Sequence, residues 1–283
     1  MRPLLRRQRV HEVGQPESFV RDHRSDLHTR SLGLGGRNPQ DQNAHGRTRR
    51  GDWADERQGE RMTTFEALVE RARALAAGGE RAVLGITGAP GSGKTTLAEE
   101  LVRALGSDAV AHVPMDGFHL ADVELDRLGL RDRKGAPETF DALGYASLLR
   151  RIQEDEDDVV YAPGFERTLE QPIAGAIPVP RTARLVVTEG NYLLLVEPRW
   201  AKVRPLLTEV WYADLDRDER LRRLIERHIR FGKDETAAID WATGTDERNA
   251  TLIRATRDRA DVIVPAELLC GIGTPPRRRS SGS

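Results

Sequence analysis

Cysteine, lysine and long apolar runs are scarce in this chain of 283 residues. It contains one cysteine, Cys270, and four lysines against forty arginines. A single cysteine excludes an internal disulfide framework and is typical of a reducing cytosol. No apolar stretch approaches the roughly 18 residues that a membrane span needs, and the first residues contain no apolar signal region. The formal net charge of −1 gives no sign of a nucleic-acid partner. We therefore expect a cytoplasmic protein that binds neither membrane nor nucleic acid.

Residues 1–61 differ in composition from the rest of the chain. They are rich in Arg, His, Gln, Asp and Gly, contain no lysine and show no sustained apolar period. Such a segment cannot bury enough apolar surface to offset its chain entropy. The composition predicts a disordered extension or a misassigned start, with a basic interaction arm as the alternative. The folded domain is predicted over residues 62–271, beginning at Met62 with a capping box of Thr63 and Glu66, and a disordered tail over 272–283.

A glycine-rich motif follows an apolar run at residues 82–87 and precedes a helical pattern at 94–105. The pattern G-x-x-x-x-G-K-[ST] is that of the P-loop, whose backbone N–H groups surround nucleotide phosphates. Its lysine reaches the β- and γ-phosphates, and its hydroxyl binds Mg²⁺. The motif predicts nucleotide binding but leaves the reaction open among ATPases, GTPases and kinases. The nucleotide-binding residues predicted from it are Gly88, Ala89, Pro90, Gly91, Ser92, Gly93, Lys94, Thr95 and Thr96.

Strand and helix patterns alternate along the predicted domain. Apolar strand candidates lie at 82–87, 109–115, 184–189, 208–213 and 261–264, and helix candidates at 63–77, 94–105, 119–129, 141–153, 216–231 and 245–258. This alternation predicts an α/β fold, a doubly wound and mostly parallel five-stranded sheet with helices on both faces. Residues 158–180 indicate a hairpin or an irregular excursion.

Two acidic residues directly follow predicted strands. Ligands bind at the carboxyl ends of strands in open α/β sheets, so both are placed to act on a nucleotide. Asp116 could accept a proton from a hydroxyl group, or could simply cap the next helix. Glu189 could hold Mg²⁺ directly or through water, or could be an ordinary turn carboxylate.

An arginine-rich helix is predicted over residues 216–231. Arg223, Arg227 and Arg230 lie on one helical face at spacings of four and three residues. These arginines could face a triphosphate as a lid, or could form surface ion pairs with Glu219 and Glu226.

Three segments resemble one superfamily. They are Met115-Asp116-Gly117-Phe118-His119, residues 133–141 with the sequence RKGAPETFD, and Glu189-Gly190-Asn191. Together they resemble the phosphoribulokinase/uridine kinase superfamily over residues 85–265, nearest to the bacterial type I pantothenate kinases and their nucleoside/nucleotide kinase relatives. The resemblance implies a P-loop NTPase fold with an Arg-bearing lid and ATP-dependent phosphorylation of a small-molecule hydroxyl. It also implies that Asp116 is the base, Glu189 the Mg²⁺-associated acid and Arg227 the lid arginine.

The sequence departs from these relatives where the acceptor would bind. Pantothenate kinases have Tyr-Ser-His, and uridine kinases Tyr-Asp-Phe followed by a histidine, where this chain has Tyr161-Ala162-Pro163. A site that hydrogen-bonds its substrate discriminates through such polar groups, so neither pantothenate nor uridine is expected to be a good acceptor. The candidate acceptor residues are His119, Tyr161, Arg167 and Asn191.

The sequence thus favours a kinase that uses ATP and Mg²⁺ to phosphorylate a small-molecule acceptor. Lys94, Asp116 and Arg227 are the predicted catalytic residues, Arg223 assists in binding ATP, and Thr95 and Glu189 hold the metal. A nucleotide kinase is the first alternative, with Arg133 or Arg167 holding the acceptor phosphate. A P-loop ATPase that acts as a regulator is the second. The oligomeric state stays open, with a homodimer as one outcome.

Overall fold

A computed structural model describes residues 60–61, 64–106 and 109–272. The described residues all belong to one compact unit. The predictions for residues 1–61 and 272–283 therefore lie outside the described residues, apart from Glu60, Arg61 and Ile272. The boundaries of the folded domain stay predictions.

Six parallel strands form the central sheet, and two antiparallel strands form a separate hairpin. The strands are β1 (Glu60–Arg61), β2 (Ala82–Thr87), β3 (Val110–Pro114), β4 (Val159–Glu166), β5 (Gln171–Pro180), β6 (Leu185–Gly190), β7 (Glu209–Asp214) and β8 (Val262–Pro265). The order in the sheet is β1-β8-β7-β2-β6-β3, and β4 pairs with β5. The five predicted strands and the hairpin are confirmed. The two-residue strand β1, which pairs with β8, was not predicted.

Eight α-helices are found in the described residues. They are α1 (Phe65–Ala76), α2 (Lys94–Leu105), α3 (Asp122–Leu128), α4 (Ala142–Glu154), α5 (Arg217–Arg230), α6 (Glu235–Trp241), α7 (Glu247–Arg254) and α8 (Ala266–Gly271). The short helices α6 and α8 were not predicted, and a π-helical turn, Ala242–Asp246, joins α6 to α7. The cap of α1 was predicted wrongly, because Thr64 rather than Thr63 accepts the hydrogen bond, from the Ala67 amide.

Helices cover both faces of the sheet, as the sequence predicted. One apolar core lies between the sheet and helices α1, α2 and α8, and a second lies between the sheet, α4, α7 and the hairpin. Every residue of β2 and β6 is buried, because both strands have neighbours on each side and helices above and below. No helix in the described parts of the chain has the length and apolar character to cross a membrane.

Parallel pairing brings three functional segments to the same edge of the sheet. In the strand register Thr87 lies beside Gly190, and Pro114 lies beside Glu189. The carboxyl ends of β2, β6 and β3 are therefore neighbours. The glycine loop after β2, Glu189 at the end of β6 and Asp116 just after β3 come together for this reason.

Candidate active site

The glycine loop between β2 and α2 has the conformation that its sequence predicts. Gly91 and Gly93 have φ values of 82° and 89°, which favour glycine, and Gly93 is the N-cap residue of α2. A Cβ atom at Gly91 would lie 2.7 Å from the Leu224 side chain of α5. The loop can therefore curl closely against α5 only with glycine at this position.

Lys94 and Ser92 show that the loop fits an anion. The Lys94 ammonium is buried and donates a hydrogen bond to the Ala89 carbonyl oxygen at 3.1 Å. Burial lowers the pKa of Lys94 to about 8, although the nearby Glu189 charge opposes the shift. The Ser92 hydroxyl is buried and has no hydrogen-bond partner in the described residues. Both groups, with the first amides of α2, could satisfy the oxygens of a phosphate.

Thr95 and Glu189 form a pair at the start of α2. The Thr95 hydroxyl donates to Glu189 Oε1 at 2.9 Å, and Glu189 is buried. Burial raises the pKa of Glu189 to about 7, and the negative charge of Asp116 adds to this. Within the described residues, no three His, Cys, Asp or Glu side chains cluster in a way that could hold a metal ion alone. The pair instead fits Mg²⁺ bound largely through substrate phosphates.

Asp116 lies in a 3₁₀ turn, Met115–Phe118, at the end of β3. Its carboxylate accepts a hydrogen bond from Arg167 Nη2 at 3.2 Å. Burial opposes ionisation of Asp116, but electrostatic interactions with neighbouring side chains, first His119 and then Arg167, hold its pKa below the usual range. Asp116 is therefore an ionised carboxylate that can accept a proton.

An aromatic wall stands beside Asp116. The His119 ring lies 4.0 Å from the Phe140 ring and 4.9 Å from the Phe165 ring, measured between centroids. His119 Nδ1 lies 2.8 Å from the backbone oxygen of Asp116. Burial lowers the pKa of His119, which favours its neutral form. These tilted rings offer an aromatic surface next to the base.

A cavity of about 390 Å³ connects these groups. Its lining includes the predicted residues Pro90, Gly91, Lys94, Thr95, Asp116, His119, Arg167, Glu189, Asn191 and Arg227. The cavity also receives side chains from α3, the hairpin and the segment from α5 to α7. One cavity thus contains the nucleotide, metal, base and acceptor candidates together.

Tyr161 is the predicted acceptor residue that the structure places elsewhere. Its side chain is 59% exposed and does not line the cavity, while its neighbours Val160 and Ala162 are buried. Side chains alternate between the two faces of a strand, so β4 directs Tyr161 away from the core. Tyr161 is therefore not supported as an acceptor-binding residue.

The arginines of α5 divide between the two predicted roles. Arg227 lines the cavity. Arg223 does not line it, but one of its nitrogens lies 3.4 Å from the position that a Cβ of Gly93 would occupy, and its Nε donates to Glu219 at 2.7 Å. Arg230 does not line the cavity either. Of the three arginines predicted to form a lid, Arg227 therefore lies in the cavity and Arg223 lies beside the glycine loop.

Arg220 and Lys134 have structural roles that sequence reasoning missed. Arg220 is buried, donates to the Pro90 carbonyl oxygen at 3.2 Å and forms an ion pair with Glu247, which joins α5 to the glycine loop and to α7. Lys134 donates to Asp122 at 2.8 Å and to the Glu170 carbonyl oxygen, which joins α3 to the hairpin turn. In the sequence, Arg220 is one arginine among many in its helix, and Lys134 is marked only by its place in the Lys134-Gly135 motif.

Comparison with known proteins agrees with this geometry. The model of the family described as "Phosphoribulokinase / Uridine kinase family" matches residues 83–268. The chain is 33% identical over 213 residues to a Schizosaccharomyces pombe protein named "Putative uridine kinase C227.14", covering 72% of this chain and 91% of that protein.

Two solved structures resemble the fold. One, titled as a "putative fructose transport system kinase" from Silicibacter sp. TM1040, has a TM-score of 0.66 and 35% identity and covers 72% of this chain and 100% of its own. The other is YFH7 from Saccharomyces cerevisiae, with a TM-score of 0.61 and 19% identity, covering 71% and 98%. The second likeness supports the fold alone.

Proposed function

The chain belongs to the phosphoribulokinase/uridine kinase family of P-loop kinases, and from this premise we propose that it transfers the γ-phosphoryl group of ATP to a hydroxyl of a small metabolite. The observation that carries the proposal is the placement of Asp116 in the same cavity as Lys94, Glu189 and Arg227. A regulatory ATPase has no need of a base in that position, whereas phosphoryl transfer to a hydroxyl does.

The proposed reaction follows from the positions of these side chains. The amides of the glycine loop and Lys94 hold the phosphates of ATP, and Arg227 faces the transferred group. The acceptor oxygen attacks the γ-phosphorus, its proton passes to the Asp116 carboxylate, and the bond to the oxygen that bridges the β- and γ-phosphates breaks to release ADP. Thr95 and Glu189 would hold Mg²⁺, which neutralises phosphate charge.

Catalysis in such a site depends mainly on positioning of the reactants and on electrostatic stabilisation. The transition state places charge on the phosphoryl oxygens, and in this proposal the cations Lys94 and Arg227 stabilise that charge. The ties from Arg220 to Pro90 and Glu247 keep α5, which carries Arg227, against the glycine loop.

The nucleotide-kinase alternative receives less support. Arg133 does not line the cavity and forms an ion pair with Glu138 instead. Arg167 lines the cavity but is engaged with Asp116. Arg133 is thus outside the cavity, and Arg167 contacts the candidate base, so no described arginine is set aside for an acceptor phosphate. The names of the relatives, a uridine kinase and a fructose transport system kinase, also favour a small hydroxylated acceptor.

The test is ADP release from Mg-ATP in the presence and absence of a panel of sugars, nucleosides and hydroxy acids. We expect release that depends on both Mg²⁺ and one acceptor, and that Lys94→Ala abolishes. Lys202→Ala is the matched control, because Lys202 is an exposed lysine outside the cavity. ADP release that does not depend on any acceptor, or that survives Lys94→Ala, would refute the proposal.

A further inference from the structure

The cavity contains a polar pair that the reaction described above does not use. We propose that the acceptor is a neutral, polyhydroxylated molecule and that Asp246, held in place by His228, binds its hydroxyl groups. This inference rests on the proposed function and specifies the chemical class of its acceptor.

The His228–Asp246 pair joins two elements across the cavity wall. His228 Nε2 lies 2.8 Å from Asp246 Oδ2, and the side chains are only 14% and 11% exposed. His228 belongs to α5, next to Arg227, while Asp246 ends the π-helical turn Ala242–Asp246. Both side chains line the cavity. The histidine nitrogen donates to the carboxylate oxygen, and this hydrogen bond fixes the orientation of Asp246.

The second carboxylate oxygen of Asp246 is available to a ligand. Oδ1 has no hydrogen-bond partner in the described part of the chain, although the residue is 92% buried. A carboxylate oriented by a histidine and with one oxygen facing a cavity is a strong acceptor for the hydroxyl groups of a ligand. A hydroxyl-rich molecule would satisfy it, whereas a carboxylate or phosphate ligand would be repelled.

Other polar groups of the cavity region meet at the Gly135 carbonyl oxygen. The carbonyl oxygen of Gly135 accepts hydrogen bonds from the Tyr192 hydroxyl and from Asn249 Nδ2, the latter at 3.2 Å. Burial raises the pKa of Tyr192, and the charges of Asp246 and Asp116 contribute to the shift. Asp246 and Asp116 line the same cavity, so one acceptor can contact both.

The positive and negative side chains that line the rest of the cavity are equal in number. Apart from the groups that face the glycine loop, four carboxylates and four cations line the cavity: Asp116, Asp122, Glu170 and Asp246 with Arg131, Lys134, Arg167 and Lys233. A balanced lining gives no electrostatic attraction for an acceptor of either sign.

Most of these cations are already paired within the protein. Arg131 and Lys134 each lie 2.8 Å from the Asp122 carboxylate, and Arg167 lies 3.2 Å from that of Asp116. Lys233 lies over the Trp241 ring, 4.6 Å from its centroid. An anionic acceptor would have to break these pairs and approach the negative charge of Asp246. A neutral acceptor would leave the pairs intact.

A neutral polyhydroxylated molecule also fits the aromatic wall. The rings of His119, Phe140 and Phe165 present a tilted aromatic surface next to the base. The C–H face of a sugar ring, or the base of a nucleoside, could pack there while hydroxyl groups reach Asp246 and Asp116. This combination of one apolar face and a few polar groups is typical of small-molecule sites.

The first test separates acceptors by charge. A small-molecule extract of Escherichia coli is passed over an anion exchanger, and the unretained neutral fraction and the eluted anionic fraction are each incubated with the protein and γ-labelled Mg-ATP. We expect a new phosphorylated product from the neutral fraction. A product only or mainly from the anionic fraction would overturn this inference and leave the kinase proposal standing, whereas no product from either fraction would contradict both.

The second test addresses Asp246 itself. With the neutral fraction as the acceptor source, Asp246→Asn should raise the half-saturating amount of acceptor about 10- to 100-fold, the usual effect of losing a hydrogen bond to a charged group. The Kd for Mg-ATP should not change. Asp240→Asn, at an exposed aspartate of α6 outside the cavity, is the matched control and should behave as the wild type.

A variant of His228 distinguishes a binding role of Asp246 from a purely structural one. His228→Gln keeps a side-chain amide that can donate to Asp246, so it should cause a smaller rise in the half-saturating amount than Asp246→Asn. Thermal unfolding and the Kd for Mg-ATP report whether each variant is folded. An unchanged acceptor response in folded Asp246→Asn would overturn the role of Asp246.

Discussion

Gly117, directly after the candidate base, provides a sharp test of the site geometry. The hairpin strand β4 passes so close that a Cβ at Gly117 would lie 2.2 Å from the Pro163 carbonyl oxygen and 2.7 Å from its carbonyl carbon. Cβ atoms essentially never approach other atoms within 3.0 Å, so Gly117→Ala must separate the two segments by about 0.8 Å. The clashing atoms belong to the backbone, and no side-chain rotation can relieve the contact.

The displacement would reach the base. The strand that contains Pro163 continues to Phe165 and Arg167, which contact His119 and Asp116 respectively. Misplacement by about 1 Å can cost roughly 10²-fold in rate, because the reacting atoms no longer meet in line. We therefore expect Gly117→Ala to lower kcat about 10²-fold. Overpacking of this kind also costs about 1–3 kcal/mol of stability.

The assay compares kcat, the Kd for Mg-ATP and urea unfolding for Gly117→Ala and Gly271→Ala. Gly271 is the matched control, because a Cβ there would meet nothing within 4 Å and its φ is ordinary. The Kd should not change in either variant, since the glycine loop lies on a different strand. A normal kcat in Gly117→Ala would refute the argument that the hairpin is held against the base through this contact.

Three further predictions follow from the structure. Asp116→Asn should lower kcat by roughly 10²–10⁴ while ATP still binds, whereas Glu189→Gln should mainly raise the Mg²⁺ concentration needed for activity. Equal and small changes of kcat in both variants during a Mg²⁺ titration would contradict this division of roles. Arg220→Ala should cost about 1.5–3 kcal/mol in urea unfolding because it removes the buried hydrogen bond to the Pro90 carbonyl oxygen and one ion pair of Glu247, while the exposed Arg222→Ala should cost about 0–1 kcal/mol; similar costs would refute the buried tie. Burial lowers the pKa of His112 to about 4, and its Nε2 has no partner within the described residues, so the unfolded chain binds the proton more tightly. The free energy of unfolding should thus be unaffected by His112 above about pH 6.5 and should fall by up to about 1.4 kcal/mol per pH unit between pH 6.5 and 4. In urea unfolding measured at several pH values, His112→Gln should reduce this slope.

The sheet and the acidic residues of the site were predictable from sequence for the same reason. Buried parallel strands read as continuous apolar runs, and their polar ends then mark one edge of the sheet. Asp116 and Glu189 could therefore be placed beside the glycine loop without knowledge of any side-chain contact. The edge strand β1 escaped prediction, because its two residues, Glu60 and Arg61, carry no apolar pattern and pair only with β8.

Side-chain direction on the hairpin was not predictable in the same way. The register between β4 and β5 shifts between Ala162 and Gly164, so spacing alone does not tell which residues face the cavity. Tyr161 lies on the exposed face, whereas Phe165 and Arg167, beyond the shift, reach the cavity. A local irregularity thus decided which of the hairpin candidates belong to the site.

The contacts of α5 depended on packing that no helical period reveals. Arg220 is buried against the glycine loop, while Arg222, two residues later, is 56% exposed and pairs with Glu219 and Glu226. The partner of His228 is eighteen residues away and is reached only through the unpredicted helix α6 and the π-helical turn. Local patterns could place these side chains on a helix but could not find their partners.

Asp116 and Glu189 have pKa values that the site moves in opposite directions, which is the usual sign of two carboxylates with different roles. A carboxylate with a depressed pKa holds a proton weakly, so Asp116 is a poor base while cations surround it. Two of those cations, Lys94 and Arg227, are the ones placed to face nucleotide phosphates. Phosphate charge would oppose their effect and raise the pKa of Asp116. We therefore expect the base to gain strength only when the nucleotide is bound, which ties removal of the acceptor proton to the presence of the phosphoryl donor.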